Sequence, residues 1–256
     1  MSDYDRFNAQ RFGAGVARSQ VGAIDQGLRA YMLGVYNYMT LGLGLTGLVA
    51  LGAFMLAAPV YAGGHLVGLS SFGQAIYLSP LKWLVIFAPL IVVFGMSAGR
   101  DRMSAGTARM VFLGFAALMG LSMSTVFLLY TGVSIARVFF ITAASFGALS
   151  LYGYTTRRDL SAMGSFMVMG VFGLIIASVV NLFLHSTGLQ FAISVLGVGV
   201  FAGLTAWDTQ AIKSAYYAGG TWEASEKKSI FGALTLYLDF INMFQFLLML
   251  LGDRRS

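Results

Sequence analysis

The chain has 256 residues, of which 58% are hydrophobic and only 10% are charged. A water-soluble fold carries roughly 25% charged residues, and a disordered chain is polar or highly charged, so both classes are excluded. What remains is a chain dissolved in lipid; its net charge of +6, from 16 Lys and Arg against 10 Asp and Glu, must be placed along the chain before it is read as basic.

Residues 1–29 form a polar tail with Arg6, Arg11, Arg18 and Arg29. The tail lacks the basic start, short apolar run and small-residue cleavage site of a signal peptide, so the first apolar stretch is expected to stay in the protein. No Asp, Glu, Lys or Arg occurs from Ala30 to Leu81, from Met110 to Ala136, or from Leu160 to Trp207. A helix rises about 1.5 Å per residue, so ~20 apolar residues cross the hydrocarbon core. Seven spans are predicted, at about 30–57, 81–98, 108–130, 135–153, 161–184, 190–214 and 230–251. The first long stretch breaks at Pro59 and before Pro80, leaving a loop with Gly and Ser. The third breaks at the polar His185-Ser186-Thr187-Gly188 turn. The expected class is an all-α membrane protein with one seven-helix domain, 30–256, behind the polar tail.

Alternate loops hold unequal numbers of cations. One set holds Arg6, Arg11, Arg18, Arg29, Arg100, Arg102, Arg109, Arg157, Arg158, Lys213, Lys227 and Lys228. The other holds only Lys82, Arg137, Arg254 and Arg255. The positive-inside rule then places the N-terminus in the cytoplasm and the C-terminus outside. The basic residues thus serve topology, and with no basic helix or aromatic-basic motif a nucleic-acid partner is not expected. Tyr31, Tyr61, Tyr77, Trp83, Tyr154, Trp207, Tyr216, Tyr217 and Trp222 fall where interfacial belts belong. The 32 glycines exceed the usual ~7%. Gly95-xxx-Gly99 and Gly199-xxx-Gly203 fit close helix packing within the bundle.

Ionisable groups inside a span are expensive and are candidates for function. Asp239 falls about ten residues, or ~14 Å, inside the basic end of the last span. Asp208 lies at a similar ~14 Å if the sixth span runs to Tyr217. Two adjacent antiparallel helices would bring both carboxylates to one depth. Thr235, Asp239 and Asn242 share one face of the seventh span, and Thr205 joins Asp208 on the sixth. Such stripes suit a hydrated cavity. A solvated helix-end Asp208, or a purely structural ion pair with Arg100 or Arg102, are plainer readings. If the carboxylates meet, they share protons as a coupled pair. Ionised, they form a hard oxygen site suited to Ca²⁺.

At these residues the sequence resembles a known family. Leu236-Tyr237-Leu238-Asp239-Phe240-Ile241-Asn242-Met243-Phe244 is similar to the last-span signature of the Bax inhibitor-1 family. Trp207-Asp208-Thr209-Gln210, Thr155-Thr156-Arg157-Arg158-Asp159-Leu160 and Asn181-Leu182-Phe183 support it. The resemblance covers the chain from about Arg29. It implies seven helices with the last one central, wrapped by the other six. It also implies a pH-sensitive passive Ca²⁺ leak in which Asp208 and Asp239 sense pH. A second-span arginine, at Arg102 or Arg100, would latch onto Asp208. Some bacterial members resemble regulators of a membrane-anchored ATP-dependent protease, which makes such a protease a candidate partner.

Three functions compete. The first is a proton-gated Ca²⁺ leak in a bacterial inner membrane. The second is a regulator that binds another membrane protein. The third is an intramembrane aspartyl protease, since paired aspartates also serve that chemistry. Leu236-Tyr237-Leu238 replaces its Gly-x-Gly, however, and no Pro-Ala-Leu follows. No enzyme and no cofactor are expected. His65 and His185 are the only histidines and lie in loops, and cysteine is absent, so a His- or Cys-rich metal site is not expected. The last span has no lysine for a Schiff base. Gly42-Leu43-Gly44 lies inside a span, where a phosphate loop is out of place. Asn181, Ser122 and Ser124 are read as interhelical hydrogen-bonding groups.

Overall fold

In the computed structural model, residues 3–62, 65–216 and 221–255 are described, with the side chains of 3–25 and of 65 outside the description. Arg6, Arg11, Arg18, His65 and Tyr217, named above, therefore fall outside it in whole or in side chain. Seven long helices run in order: α1 (Asp3–Ala57), α2 (Leu81–Ala98), α3 (Ala105–Met123, extended by Thr125–Leu129), α4 (Gly132–Thr155), α5 (Ser161–Leu184), α6 (Thr187–Ser214) and α7 (Trp222–Leu251). Each carries a stretch long and apolar enough to cross a membrane; in α1 it is Gln26–Ala57. The exterior of the bundle is apolar, with Phe94, Phe140, Phe172, Ile176 and Phe183 all exposed. Such a surface is a liability in water and the expected face towards lipid.

Two predicted spans, 81–98 and 161–184, coincide with α2 and α5. Five helices begin earlier than their predicted spans: α1 runs back through the polar tail to Asp3, and four others start a few residues upstream. Ser104, Thr131, Ser186 and Thr221 cap α3, α4, α6 and α7 by accepting the N–H of Thr107, Ser134, Leu189 and Ala224. A hydroxyl at that position satisfies an orphan donor, so the helix starts there whether or not the next residues are apolar. In α7 the added turns carry Glu223, Glu226, Lys227 and Lys228. The predicted turn at 185–188 is present. His185 closes α5 in the left-handed region, with φ 50. Asn181 bridges α5 and α6, donating to Gln190 at 3.1 Å and accepting the Ser186 N–H at 3.0 Å. Ser124 accepts from the Tyr77 hydroxyl at 2.8 Å.

The segment between α1 and α2 is more ordered than a plain loop. Val60–Ala62 (β1) pairs antiparallel with His65–Gly68 (β2), and two short helical turns follow over 71–78. It packs at the sparsely charged end, where the Tyr61 hydroxyl donates to the Leu128 carbonyl and Arg255 stacks on Tyr61 and Phe54.

The last helix packs most closely against four neighbours, α6, α1, α4 and α3, while α2 leans on α3 and α5 on α6. Its buried face includes Ile230, Leu236, Tyr237, Met243 and Leu248. The closest backbone approaches are at glycines outside the expected pairs. A Cβ on Gly120 would sit 2.6 Å from the Thr46 carbonyl oxygen, and one on Gly153 would strike the Ala206 backbone. Gly95 and Gly199 face open space. Of the two expected pairs, only Gly203 meets another helix tightly, with Met167 Cγ 2.8 Å from where its Cβ would be.

Candidate functional site

The α6–α7 pair brings the two intramembrane aspartates together. Their carboxyl groups are neighbours. Asp239 is only 4% exposed, and one of its oxygens, Oδ2, has no hydrogen-bond partner. A buried unpartnered carboxyl oxygen costs free energy, so the arrangement needs a reason beyond packing.

Their depths arise differently from the expectation. Helix α6 ends at Ser214, which leaves Asp208 about 9 Å from that end. Helix α7 starts at Trp222, which puts Asp239 about 26 Å from its own start. The carboxyls still meet because α7 projects further at the basic end. Lys228 Nζ in that projection donates to the Ala215 carbonyl at 3.0 Å and ties it to the end of α6. Close approach of these helices depends on Gly232, where a Cβ would stand 3.1 Å from Ile212 Cγ2.

Asp208 opens on a cavity of about 370 Å³ at the basic end. Tyr31, Arg100, Lys228, Phe231 and Thr235 share its wall. The Arg100 guanidinium lies over the Phe231 ring, 5.0 Å from its centroid. Asp239 is not on the wall; it sits behind Asp208. The cavity therefore presents one carboxyl, two cations and three hydroxyl side chains, Tyr31, Ser97 and Thr235, with a second carboxyl in reserve.

The other named residues separate. Thr235 lines the cavity, and its hydroxyl also donates to the Phe231 carbonyl at 3.2 Å. Thr205 is fully buried and donates to the Phe201 carbonyl. Asn242 donates to the Leu238 carbonyl at 2.8 Å. Neither Thr205 nor Asn242 is on the cavity wall; each side chain satisfies its own helix one turn back. Arg102 is exposed in the 99–104 loop and does not line the cavity, whereas Arg100 does. Among the described residues the ion pairs are Arg109–Glu226 at 3.6 Å and Arg137–Asp253 at 2.8 Å, so Arg100 stands near Asp208 without forming a pair.

Sequence reasoning missed Lys228 and Phe231. A signal was available, since Lys228, Phe231, Thr235 and Leu238 recur at steps of three and four and share one helical face. It also missed a hydroxyl chain beside the site. Tyr36 meets Ser150 at 2.6 Å, Ser150 meets Thr209 at 2.9 Å, and Thr209 donates to the Thr205 carbonyl. These groups come from three helices, so no local pattern links them.

No group of three or more His, Cys, Asp or Glu residues gathers among the described residues. A cation at the pair would therefore draw most of its oxygens from hydroxyls, carbonyls and water. Ca²⁺ takes six to eight oxygens when held firmly. Two carboxyls suit brief occupation rather than storage.

The comparisons with known proteins agree with the fold. The family model described as "Inhibitor of apoptosis-promoting Bax1" matches residues 28–256. An uncharacterized protein of Rickettsia prowazekii is 52% identical over 91% of this chain and 93% of its own length. An uncharacterized protein of Caulobacter vibrioides is 43% identical over the whole of both chains. The inner membrane protein YbhL of Escherichia coli is 45% identical over 90% of this chain and 94% of its own. With these matches and seven apolar helices, the chain belongs to the Bax inhibitor-1 family of multi-pass membrane proteins.

Proposed function

We propose that the protein is a proton-sensitive passive Ca²⁺ leak of a bacterial inner membrane, gated by Asp208 and Asp239. The observation that carries this reading is the contact between two carboxyls, one on a cavity wall and one buried behind it with an unpartnered oxygen. Two carboxyls this close titrate as one system, so their charge changes in coupled steps. When both are ionised they attract a divalent cation. When a proton bridges them, that attraction falls. Arg100 competes for the ionised Asp208 from across the cavity and serves as the latch. Conduction needs a site strong enough to admit the ion and weak enough to release it, which a two-carboxyl site provides.

The cytoplasm faces the basic end, as the Lys and Arg count requires. The inner-membrane address rests on the similarity to YbhL. Flux follows the ion gradient.

The test is Ca²⁺ flux into proteoliposomes from pH 6 to pH 8. Wild-type flux varies across this range, and the Asp208→Asn, Asp239→Asn double variant shows a flat profile. An unchanged profile in the double variant overturns the proposal.

A further inference from the structure

A second cavity, larger than the first, lies between α1 and α4. Its volume is about 1090 Å³. The side walls come from α1 and α4, and Phe240 of α7 contributes to the floor. Met32, Met39, Phe146 and Phe240 are buried within it, whereas Leu33, Leu48 and Leu151 at its rims are exposed. It is therefore a groove open sideways to the membrane, not a sealed void. Along α1 it extends from Arg29 to Leu51, about 33 Å, the thickness of a hydrocarbon core. A further void of about 260 Å³ shares Leu43, Gly47, Phe139 and Phe240 and continues it towards the other end.

The polar groups of the groove gather at its basic end. Arg29, Tyr36, Ser150 and Tyr154 stand there; Thr40 is the one further hydroxyl, about midway, and the rest of the lining is aliphatic and aromatic carbon. Lys213 adds a second cation beside the mouth. Its Nζ donates to the Tyr154 carbonyl at 2.7 Å and lies 4.8 Å from the Tyr154 ring centroid. Three glycines keep the groove wide: a Cβ on Gly44, Gly47 or Gly147 would have no neighbour within 4 Å.

A long apolar trough with cations only at one mouth is complementary to one class of molecule in a bilayer. We propose that this groove holds an acyl chain of an anionic phospholipid, with its phosphate at Arg29. Basic pockets between transmembrane helices on the cytoplasmic side are suited to such headgroups. The chain replaces the helix contact that α1 and α4 otherwise lack outside the Tyr36–Ser150 bond. Water does not fill the carbon-lined length of the groove, since a cavity water needs two to four polar partners.

The test uses purified full-length protein in nanodiscs of equal phosphatidylglycerol and phosphatidylcholine, with retained lipid counted by native mass spectrometry after release. Wild type retains one lipid, with phosphatidylglycerol preferred about fivefold, the effect of one interfacial cation. The Gly44→Leu, Gly147→Leu double variant fills the trough and loses the retained lipid. Arg29→Gln keeps a lipid but loses about fivefold in preference, and Arg29→Lys restores it. Arg29 is exposed, so its variants fold and carry the test even where the glycine variants do not. Equal preference in wild type and Arg29→Gln overturns the proposal. So does lipid retained unchanged by a folded double-glycine variant.

Discussion

The Arg100 guanidinium is held 5.0 Å from the centroid of the Phe231 ring, on the wall of the cavity that Asp208 shares. A cation over an aromatic face is steadied by ~0.5–1 kcal/mol at a partly exposed site. Arg100 is thereby poised near the carboxyl without being locked to it. Arg100→Gln removes a positive charge that favours the ionised pair. The pH midpoint of Ca²⁺ flux moves upward by about half a pH unit, equivalent to ~0.7 kcal/mol. Arg102→Gln leaves the midpoint in place. Equal shifts in both variants would return the latch to the loop as a whole.

Close backbone contact, not the sequence spacing of glycines, decides which glycines are indispensable. Gly153→Leu drives a side chain into the Ala206 backbone, and Gly120→Leu does the same at Thr46. Each is expected to cost about 3 kcal/mol or more. Gly95→Leu and Gly199→Leu point into open space and stay within about 0.5 kcal/mol of wild type. Thermal unfolding in detergent ranks the four. Comparable losses at Gly95 and Gly153 would refute the assignment.

Tyr237 is fully buried, and its hydroxyl meets that of Thr46 at 2.7 Å. Thr46 also donates to the Ala116 carbonyl at 2.9 Å. Tyr237→Phe therefore leaves Thr46 partnered and keeps the edge-on contacts with Phe112 and Phe115. A loss of only about 0.6–1.5 kcal/mol is expected. Tyr237→Ala opens a cavity and loses roughly 3–5 kcal/mol. Melting temperatures of the two variants separate ring from hydroxyl.

Asp159 accepts the N–H and the hydroxyl of Ser161 at 2.9 and 2.6 Å, at the start of α5. These bonds hold its carboxyl below the ordinary value of 3.8. Because the folded value is depressed, the stabilisation is present above that value and disappears as pH falls through the lower folded one. Asp159→Ala is expected to speed amide exchange in the first turn of α5 at pH 7. Wild type and variant converge at pH values below the depressed one. Hydrogen exchange compared at matched pH reads this directly; a gap that persists in acid would point to another cause.

Most of the fold was legible because lipid imposes a simple demand. A long apolar run able to cross a membrane has few other uses, and α2 and α5 match their predicted spans to the residue. Helix starts were less legible. Hydrophobicity marks what lies in lipid, whereas Ser104, Thr131, Ser186 and Thr221 mark where the backbone begins to coil. The aspartates stood out because charge within a span is rare. Their neighbours were legible only in part. Thr235 follows from helical spacing and Arg100 from the family resemblance, whereas Tyr31 reaches the cavity from another element and only packing places it there.

Helix α7 is fastened at both ends. At one end Lys228 holds the Ala215 carbonyl, Lys227 the Asp101 carbonyl, and Glu226 engages Tyr38 and Arg109. Past the other end Asp253 holds Arg137, accepts the Thr131 N–H, and takes the Ser134 hydroxyl as acceptor for its own N–H. A rod pinned in this way is a stator. If Asp208 and Asp239 gate an ion as proposed, the rearrangement falls to the helices around α7 rather than to α7 itself.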